Sequence, residues 1–230
     1  MIEIIPAILA RDERELSEKL AALPRAAEAV HIDFTDSSIS PSVEGEYPKG
    51  EGVLFEAHLM IPHPQEYIAE LVKREFSRIL IQIESVSPEV FAEIIHEWRG
   101  SVEIAPSLEI ETPLEAIDSF AHEIQPVQLM GIAEIGAQGR PFDPRVIPRV
   151  TALHAKYPHL TISVDGGVNK ENAERLVAAG AMRLVVGSAI SEFFRKTTPP
   201  PRGLGTSPWV KGRIKKEKPS RPFHKGERVG

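Results

Sequence analysis

Short apolar runs recur through the first 190 residues, each closed by a turn and most followed by a stretch of helical period. They are IEIIPAIL at 2–9, AVHIDFTD at 29–36, LFEAHLMI at 54–61, RILIQIES at 78–85, VEIAPSLEI at 102–110, PVQLMGIA at 126–133, LTISVDGGV at 160–168 and MRLVVGSAI at 182–190. Runs of this length bounded by turn residues predict eight strands. Between them, Asp12 opens ERELSEKLAAL, Pro64 opens QEYIAELVKRE, Ser87 and Pro88 open EVFAEIIHEW, and Thr112 and Pro113 open LEAIDSF. Each opening sets a capping residue or a proline ahead of an apolar 3.6-residue rhythm, the signature of a helix start. PFDPRVIPRVTALHAKY and NKENAERLVAAGA supply the sixth and seventh helices. Strand and helix alternating without a break predict an α/β fold, a (β/α)8 TIM barrel, in preference to an open doubly wound sheet. Two helical segments are shortened. Residues 37–53, rich in Ser, Pro and Gly, read as a long loop, and SEFFRKT after Ile190 allows an eighth helix of two turns at most.

A second pattern runs inside the strands. Side chains on a strand alternate between faces, so Val30, Ile32 and Phe34 share one face while His31, Asp33 and Thr35 share the other. An isolated H-x-D of this kind reads as an edge strand with one wet face. The same split recurs, however: Phe55, Ala57 and Leu59 alternate with Glu56, His58 and Met60, and Ile162 and Val164 alternate with Thr161, Ser163 and Asp165. In a barrel one face of every strand meets the helices and the other meets the barrel axis, so these polar sets point into a shared interior. Buried polar groups cost several kcal/mol unless paired or bound to a metal. Asp33, His58 and Asp165 fall near the C-terminal strand ends, where barrel enzymes place their chemistry. Together with His31 they make two imidazoles and two carboxylates that suit one divalent ion, zinc first, with manganese or iron also accepted by such a mixed N/O set.

Composition narrows the class. The 230 residues contain no cysteine, which excludes disulfides and thiolate metal sites and fits a reducing, cytoplasmic setting. The amino-terminal MIEIIPAILARDE lacks a basic signal-peptide region, and no run approaches a membrane span. Charge divides the chain: residues 197–230 carry nine Lys and Arg against two Glu, a balance of +7, whereas residues 1–196 carry 18 against 31, a balance of −13. With six prolines and no apolar period, residues 197–230 read as a disordered basic tail appended to a catalytic barrel at 1–196. A solvated appendage is the commoner fate of such a tail than a nucleic-acid contact.

IIPAIL, HIDFTD, EAHLMI, VDGGVN and VVGSAI, in this order and at these strand ends, resemble the ribulose-phosphate 3-epimerase family of barrels across about residues 1–190. The resemblance implies that His31, Asp33, His58 and Asp165 ligate a divalent metal, zinc or else iron, manganese or cobalt, and that Asp33 and Asp165 are also the two acid/base carboxylates. It assigns Gly166, Gly167, Gly187 and Ser188 to a substrate phosphate, in keeping with the phosphate-binding loops after strands 7 and 8 of many barrels. Met60 and Met130 correspond to methionines that cap the family's active site. Ala7 stands where the family usually has a serine, Thr35 replaces a third methionine, and the loop GIAEIGAQGRPF is longer by a residue.

The function expected is epimerisation at C3 between D-ribulose 5-phosphate and D-xylulose 5-phosphate. Two carboxylates on opposite faces would exchange a proton through an enediolate. The alternatives are the same chemistry on another ketose phosphate, such as a hexulose 6-phosphate, and a non-catalytic phosphate-binding barrel. The partner is therefore a small sugar phosphate, without a membrane, and self-association is left open.

Overall fold

The structure, a computed structural model, describes residues 2–24, 26–35 and 52–194. Its strands are β1 (Glu3–Leu9), β2 (Ala29–Thr35), β3 (Leu54–Met60), β4 (Arg78–Gln82), β5 (Glu103–Leu108), β6 (Pro126–Met130), β7 (Thr161–Asp165) and β8 (Arg183–Val186). They close into a barrel in sequence order. Every neighbouring pair is parallel, and Glu3 to Pro6 of β1 lie opposite Arg183 to Val186 of β8. The helices are α1 (Glu13–Ala21), α2 (Gln65–Lys73), α3 (Pro88–Trp98), α4 (Val146–Lys156), α5 (Lys170–Ala179) and the single turn α6 (Ile190–Phe193). No described helix is long and apolar enough to cross a membrane.

Caps start these helices where the sequence places them. The Asp12 carboxylate accepts from the Glu15 amide at 2.8 Å, and Ser87 caps α3 with Pro88 just inside it. Asn169 and Asn172 cap the start of α5 reciprocally. Such side chains satisfy amides that have no partner within the helix.

One predicted helix is replaced. The segment opened by Thr112 and Pro113 forms only a 3-10 turn at Leu114–Ile117. Pro113 stays extended, and the apolar residues Leu114, Ile117 and Phe120 are spaced by three, so a three-residue turn directs them to one side better than a 3.6-residue helix does. Ile117 and Phe120 are buried there. Likewise β4 ends at Gln82 and passes into a 3-10 turn, Ile83–Ser85. The predicted loop at 37–53 lies almost wholly, and the tail at 197–230 entirely, outside the described residues.

Among the described residues two separate apolar clusters result from the period-two alternation. The large one lies between strands and helices and includes Ile32, Phe34, Ile68, Leu71, Ile81 and Phe91. The small one lies inside the barrel, where Ile5, Ala29 and Val185 meet with Ala7 against them. The rest of the interior is largely polar. Register aligns His31 with Glu56, Asp33 with His58, Gln82 with Ser107, Ser107 with Gln128, and Gln128 with Ser163. Far from an exposed sheet edge, β2 is buried along its whole length.

Candidate active site

The interior is layered. Toward the strand starts, Glu3, Glu56 and Glu103 meet Arg78 and Arg183. Glu56 Oε2 accepts from Arg78 Nη1 at 2.7 Å and Arg183 Nη2 at 2.5 Å. Arg183 also donates to Glu3, and Arg78 to Glu103, each at 2.7 Å. Glu56 is 1% exposed and Arg183 2%, which is tolerable for charges only because each is paired. Burial by itself would raise the Glu56 carboxyl, but His31, Arg183 and Arg78 outweigh it and hold the group well below the usual carboxylate range.

The imidazoles stand on this layer, both fully buried. His31 Nδ1 lies 2.7 Å from Glu56 Oε1. An ionised carboxylate can only accept, so Nδ1 carries the proton and Nε2 faces the barrel mouth. For His58 the roles are exchanged. Gln82 Nε2 donates to Glu84 at 3.2 Å, which turns Gln82 Oε1 toward His58 Nε2 at 3.1 Å. That oxygen accepts a hydrogen bond from the Nε2–H, leaving His58 Nδ1 toward Asp33 Oδ1 at 3.2 Å and Asp165 Oδ2 at 3.5 Å.

Asp33, two residues before the end of β2, and Asp165, the last residue of β7, open onto the mouth, each 8% exposed. His31 Nε2 lies 3.2 Å from Asp33 and 3.8 Å from Asp165, yet it has no aligned hydrogen bond among the described residues. One ligand atom from each of His31, Asp33, His58 and Asp165 falls within 4.8 Å of the other three. The structure thus brings the four residues singled out in the sequence to one point. A buried imidazole nitrogen without a hydrogen bond, two carboxylates and a second imidazole are the donor set that a borderline divalent cation takes.

Burial would make both imidazoles weaker bases, but the carboxylates prevail. Asp33 and Glu56 push His31 up to about 10, and Asp165 and Asp33 push His58 up to about 9. Burial would likewise raise Asp33, which the two imidazoles instead hold far below the carboxylate range. Without a cation, the cluster is therefore charged as imidazolium and carboxylate, and a metal would have to displace the imidazole protons.

Above the cluster an open cavity is floored by Asp33 and Asp165 and lined by Met60, Met130, Gly166, Gly167, Gly187 and Ser188. Every residue assigned to substrate in the sequence therefore borders the same space. Gly166 and Gly167 have φ of +105° and +66°, which only glycine adopts cheaply. The loop after β6 reaches across, with Gln138 Nε2 donating to the Ala7 carbonyl at 3.3 Å. Gln138 and Arg140 on this loop line the cavity too.

Three interior residues escaped the sequence reading as site components: Glu56, Gln82 and Gln128. Gln128 Nε2 lies 3.4 Å from both Asp165 Oδ2 and His58 Nδ1. Each occupies an inward position of the same alternation that marks His31 and Asp33, so the signal was present on β3, β4 and β6.

Comparison with known proteins gives a concordant result. A model of the ribulose-phosphate 3-epimerase family matches residues 3–191. The chain is 30% identical to a ribulose-phosphate 3-epimerase of Schizosaccharomyces pombe over 202 residues, covering 82% of this chain and 86% of that protein. It is 30% identical to the cytoplasmic isoform of Oryza sativa subsp. japonica over 198 residues, 82% of this chain and 86% of the relative. Against the Bacillus subtilis ribulose-phosphate 3-epimerase the figure is 30% over 203 residues, 83% and 92%. Among solved structures, the chain is similar to one from a study of the tryptophan synthase complex of Pyrococcus furiosus, with a TM-score of 0.59, 16% identity and coverage of 84% and 91%. That likeness concerns the fold alone.

Proposed function

Because the chain belongs to the ribulose-phosphate 3-epimerase family, a family of carbohydrate isomerases, we propose that it interconverts D-ribulose 5-phosphate and D-xylulose 5-phosphate by inverting C3, with Asp33 and Asp165 as its acid/base pair. The observation that carries this reading is the convergence of these carboxylates with His31 and His58 beneath the cavity.

A proton on carbon next to a ketone is a very weak acid, and inversion requires its removal from one face and delivery to the other. One base cannot readily serve both faces. Asp33 and Asp165 rise from β2 and β7, with β1 and β8 between them, so a substrate lying across the cavity floor has one carboxylate on each side. In one direction Asp33 takes the proton and Asp165 returns one, and in the other the roles exchange. His31, Asp33, His58 and Asp165 would hold the divalent cation, zinc being the best match to the donor set with iron, manganese or cobalt as substitutes. When bound it supplies positive charge to stabilise the enediolate oxygens. Gly166, Gly167, Gly187 and Ser188 would take the phosphate, and Met60 and Met130 would cover the reacting carbons and exclude water.

The test is turnover of both ketose phosphates with and without added Zn²⁺, Mn²⁺ and Fe²⁺, alongside Asp33→Asn and Asp165→Asn. An amide can neither accept nor deliver the proton, so each variant should lose at least about a thousandfold in kcat, within the range of acid/base contributions. Metal content measured on the same samples separates lost ligation from lost proton transfer. Near-normal turnover by either variant, with solvent deuterium entering both epimers, would refute the two-base assignment.

A further inference from the structure

Beneath the site stands a carboxylate, Glu56, that neither the substrate nor the proposed cation would touch. We infer that Glu56 is a positioning residue that aims His31 at the centre and sets how tightly the centre holds its cation. This inference rests on the metal-binding reading above.

Its two oxygens take different partners. Oε2 takes both arginines, at 2.7 Å from Arg78 and 2.5 Å from Arg183. Oε1 is left to His31 Nδ1 at 2.7 Å. Were Glu56 present only to neutralise the arginines, it would be redundant in part, because Arg183 also has Glu3 and Arg78 also has Glu103. Glu3 and Glu103 are part-exposed, whereas Glu56 is buried and is the carboxylate of this layer that reaches the imidazole.

Glu56 also sets the orientation of the ring. A histidine ring free to rotate would present either nitrogen, or a carbon, to the mouth. The short bond at Nδ1 fixes the ring and directs Nε2 toward Asp33 and Asp165, 3.2 and 3.8 Å away, so Nε2 is the nitrogen a cation would take once its proton is displaced. An anionic acceptor on the far nitrogen also makes the near one a stronger donor to a metal. His58 lacks this assistance, because its far nitrogen leans on the neutral amide of Gln82 at 3.1 Å. The two imidazoles are therefore unequal ligands, and His31 is the stronger.

The test compares zinc affinity of the full chain by chelator competition in wild type, Glu56→Gln and Arg78→Gln. Arg78→Gln disturbs the same ionic layer at Glu56 Oε2 but leaves the Oε1 contact to His31 in place, so it reports the effect of the layer apart from that contact. We expect Glu56→Gln to bind zinc about 10–100-fold more weakly, the range for such supporting groups, and Arg78→Gln to change less than about threefold. Imidazole ¹⁵N spectra add a readout that simple destabilisation would not move: the His31 Nδ1–H signal should shift in Glu56→Gln while the His58 Nε2–H signal stays. If Glu56→Gln does not fold, Glu56→Asp retains charge for the arginines while drawing the carboxylate back from Nδ1, and the same weakening is expected. Equal affinity in wild type and the Glu56 variant, or equal losses in the Glu56 and Arg78 variants, would overturn the inference. A wild-type protein that takes up no zinc would overturn the metal-binding reading as well, a result seen in the wild-type arm alone.

Discussion

Replacing Gly167 with alanine should damage both stability and phosphate recognition, and the size of the first effect follows from the local geometry. The residue sits at φ +66°, and a Cβ built there would lie 2.6 Å from Phe142 Cα and 2.8 Å from its N and Cβ. The left-handed backbone costs a non-glycine residue about 1–2 kcal/mol. Because the obstruction is mostly main chain, it cannot be relieved by a rotamer change, and overpacking of this kind adds about 1–3 kcal/mol. A total of about 2–5 kcal/mol corresponds to a fall of roughly 5–15 °C in Tm for a domain of this size. Gly187 provides the contrast. Its nearest obstacle is Gln138 Nε2 at 3.3 Å, the end of a flexible side chain, so Gly187→Ala should stay within about 0.5 kcal/mol of wild type. Both positions border the cavity, but only the first displaces backbone. Loss of a hydrogen bond to a charged phosphate is worth about 1.5–3 kcal/mol, so KM for the ketose phosphate should rise roughly 10–100-fold in Gly167→Ala and only a few-fold in Gly187→Ala. Calorimetry gives Tm, and steady-state kinetics with inorganic phosphate as competitor gives the binding effect. A Gly167→Ala protein that melts within about 2 °C of wild type with unchanged KM would refute the tight-turn argument and the phosphate assignment together.

Other outcomes follow from the charge distribution. Among the described residues lining the cavity Arg140 is the one cationic side chain, and Glu134 lies 2.9 Å from it; Arg140→Gln should raise KM several-fold and Glu134→Gln should lower it, and identical shifts in both would show that the pair acts only on loop structure. With His31 raised to about 10 and His58 to about 9, both imidazoles are protonated in the metal-free protein at pH 7.5, so zinc uptake should release close to two protons and tighten as pH rises toward 9. Titration calorimetry in buffers of different ionisation enthalpy counts those protons, and a value near zero would contradict the raised basicity. Truncation after Lys196 should leave Tm and turnover essentially unchanged, since the removed residues carry no apolar period and the opposite charge; a fall of several degrees would mean that they pack on the barrel.

The readable parts of this chain are those fixed by periodicity. HIDFTD, EAHLMI and TISVD place polar residues at every second position, and closure of the barrel turns that alternation into a single converging set. Helix starts were equally legible at Asp12 and Ser87, because capping is a local interaction. At Leu114 the apolar residues recur every three positions, a spacing that fits a 3-10 turn as well as a short helix, so the pattern does not distinguish the two. What stayed hidden depends on register between strands distant in sequence. That Glu56 would meet Arg183, 127 residues away, or that Gln128 would reach both His58 and Asp165, cannot be read from any one strand.

The pairing of the first strand with the last bears on how the protein comes into being. Glu3 bonds Arg183 across 180 residues, and the four converging residues span positions 31 to 165, so neither the ring nor its centre can be complete while the chain is only half made. Contacts of such separation form late, after the entropy of closing a long loop has been overcome. Until β8 arrives, β1 and β7 each present an unpaired edge, the kind of surface on which incomplete chains associate wrongly. At a synthesis rate of about 5–20 residues per second, β1 waits on the order of ten seconds for its partner. Variants that weaken the β8–β1 junction should therefore show their defect first as low yield of soluble protein, even where the molecules that do close work normally.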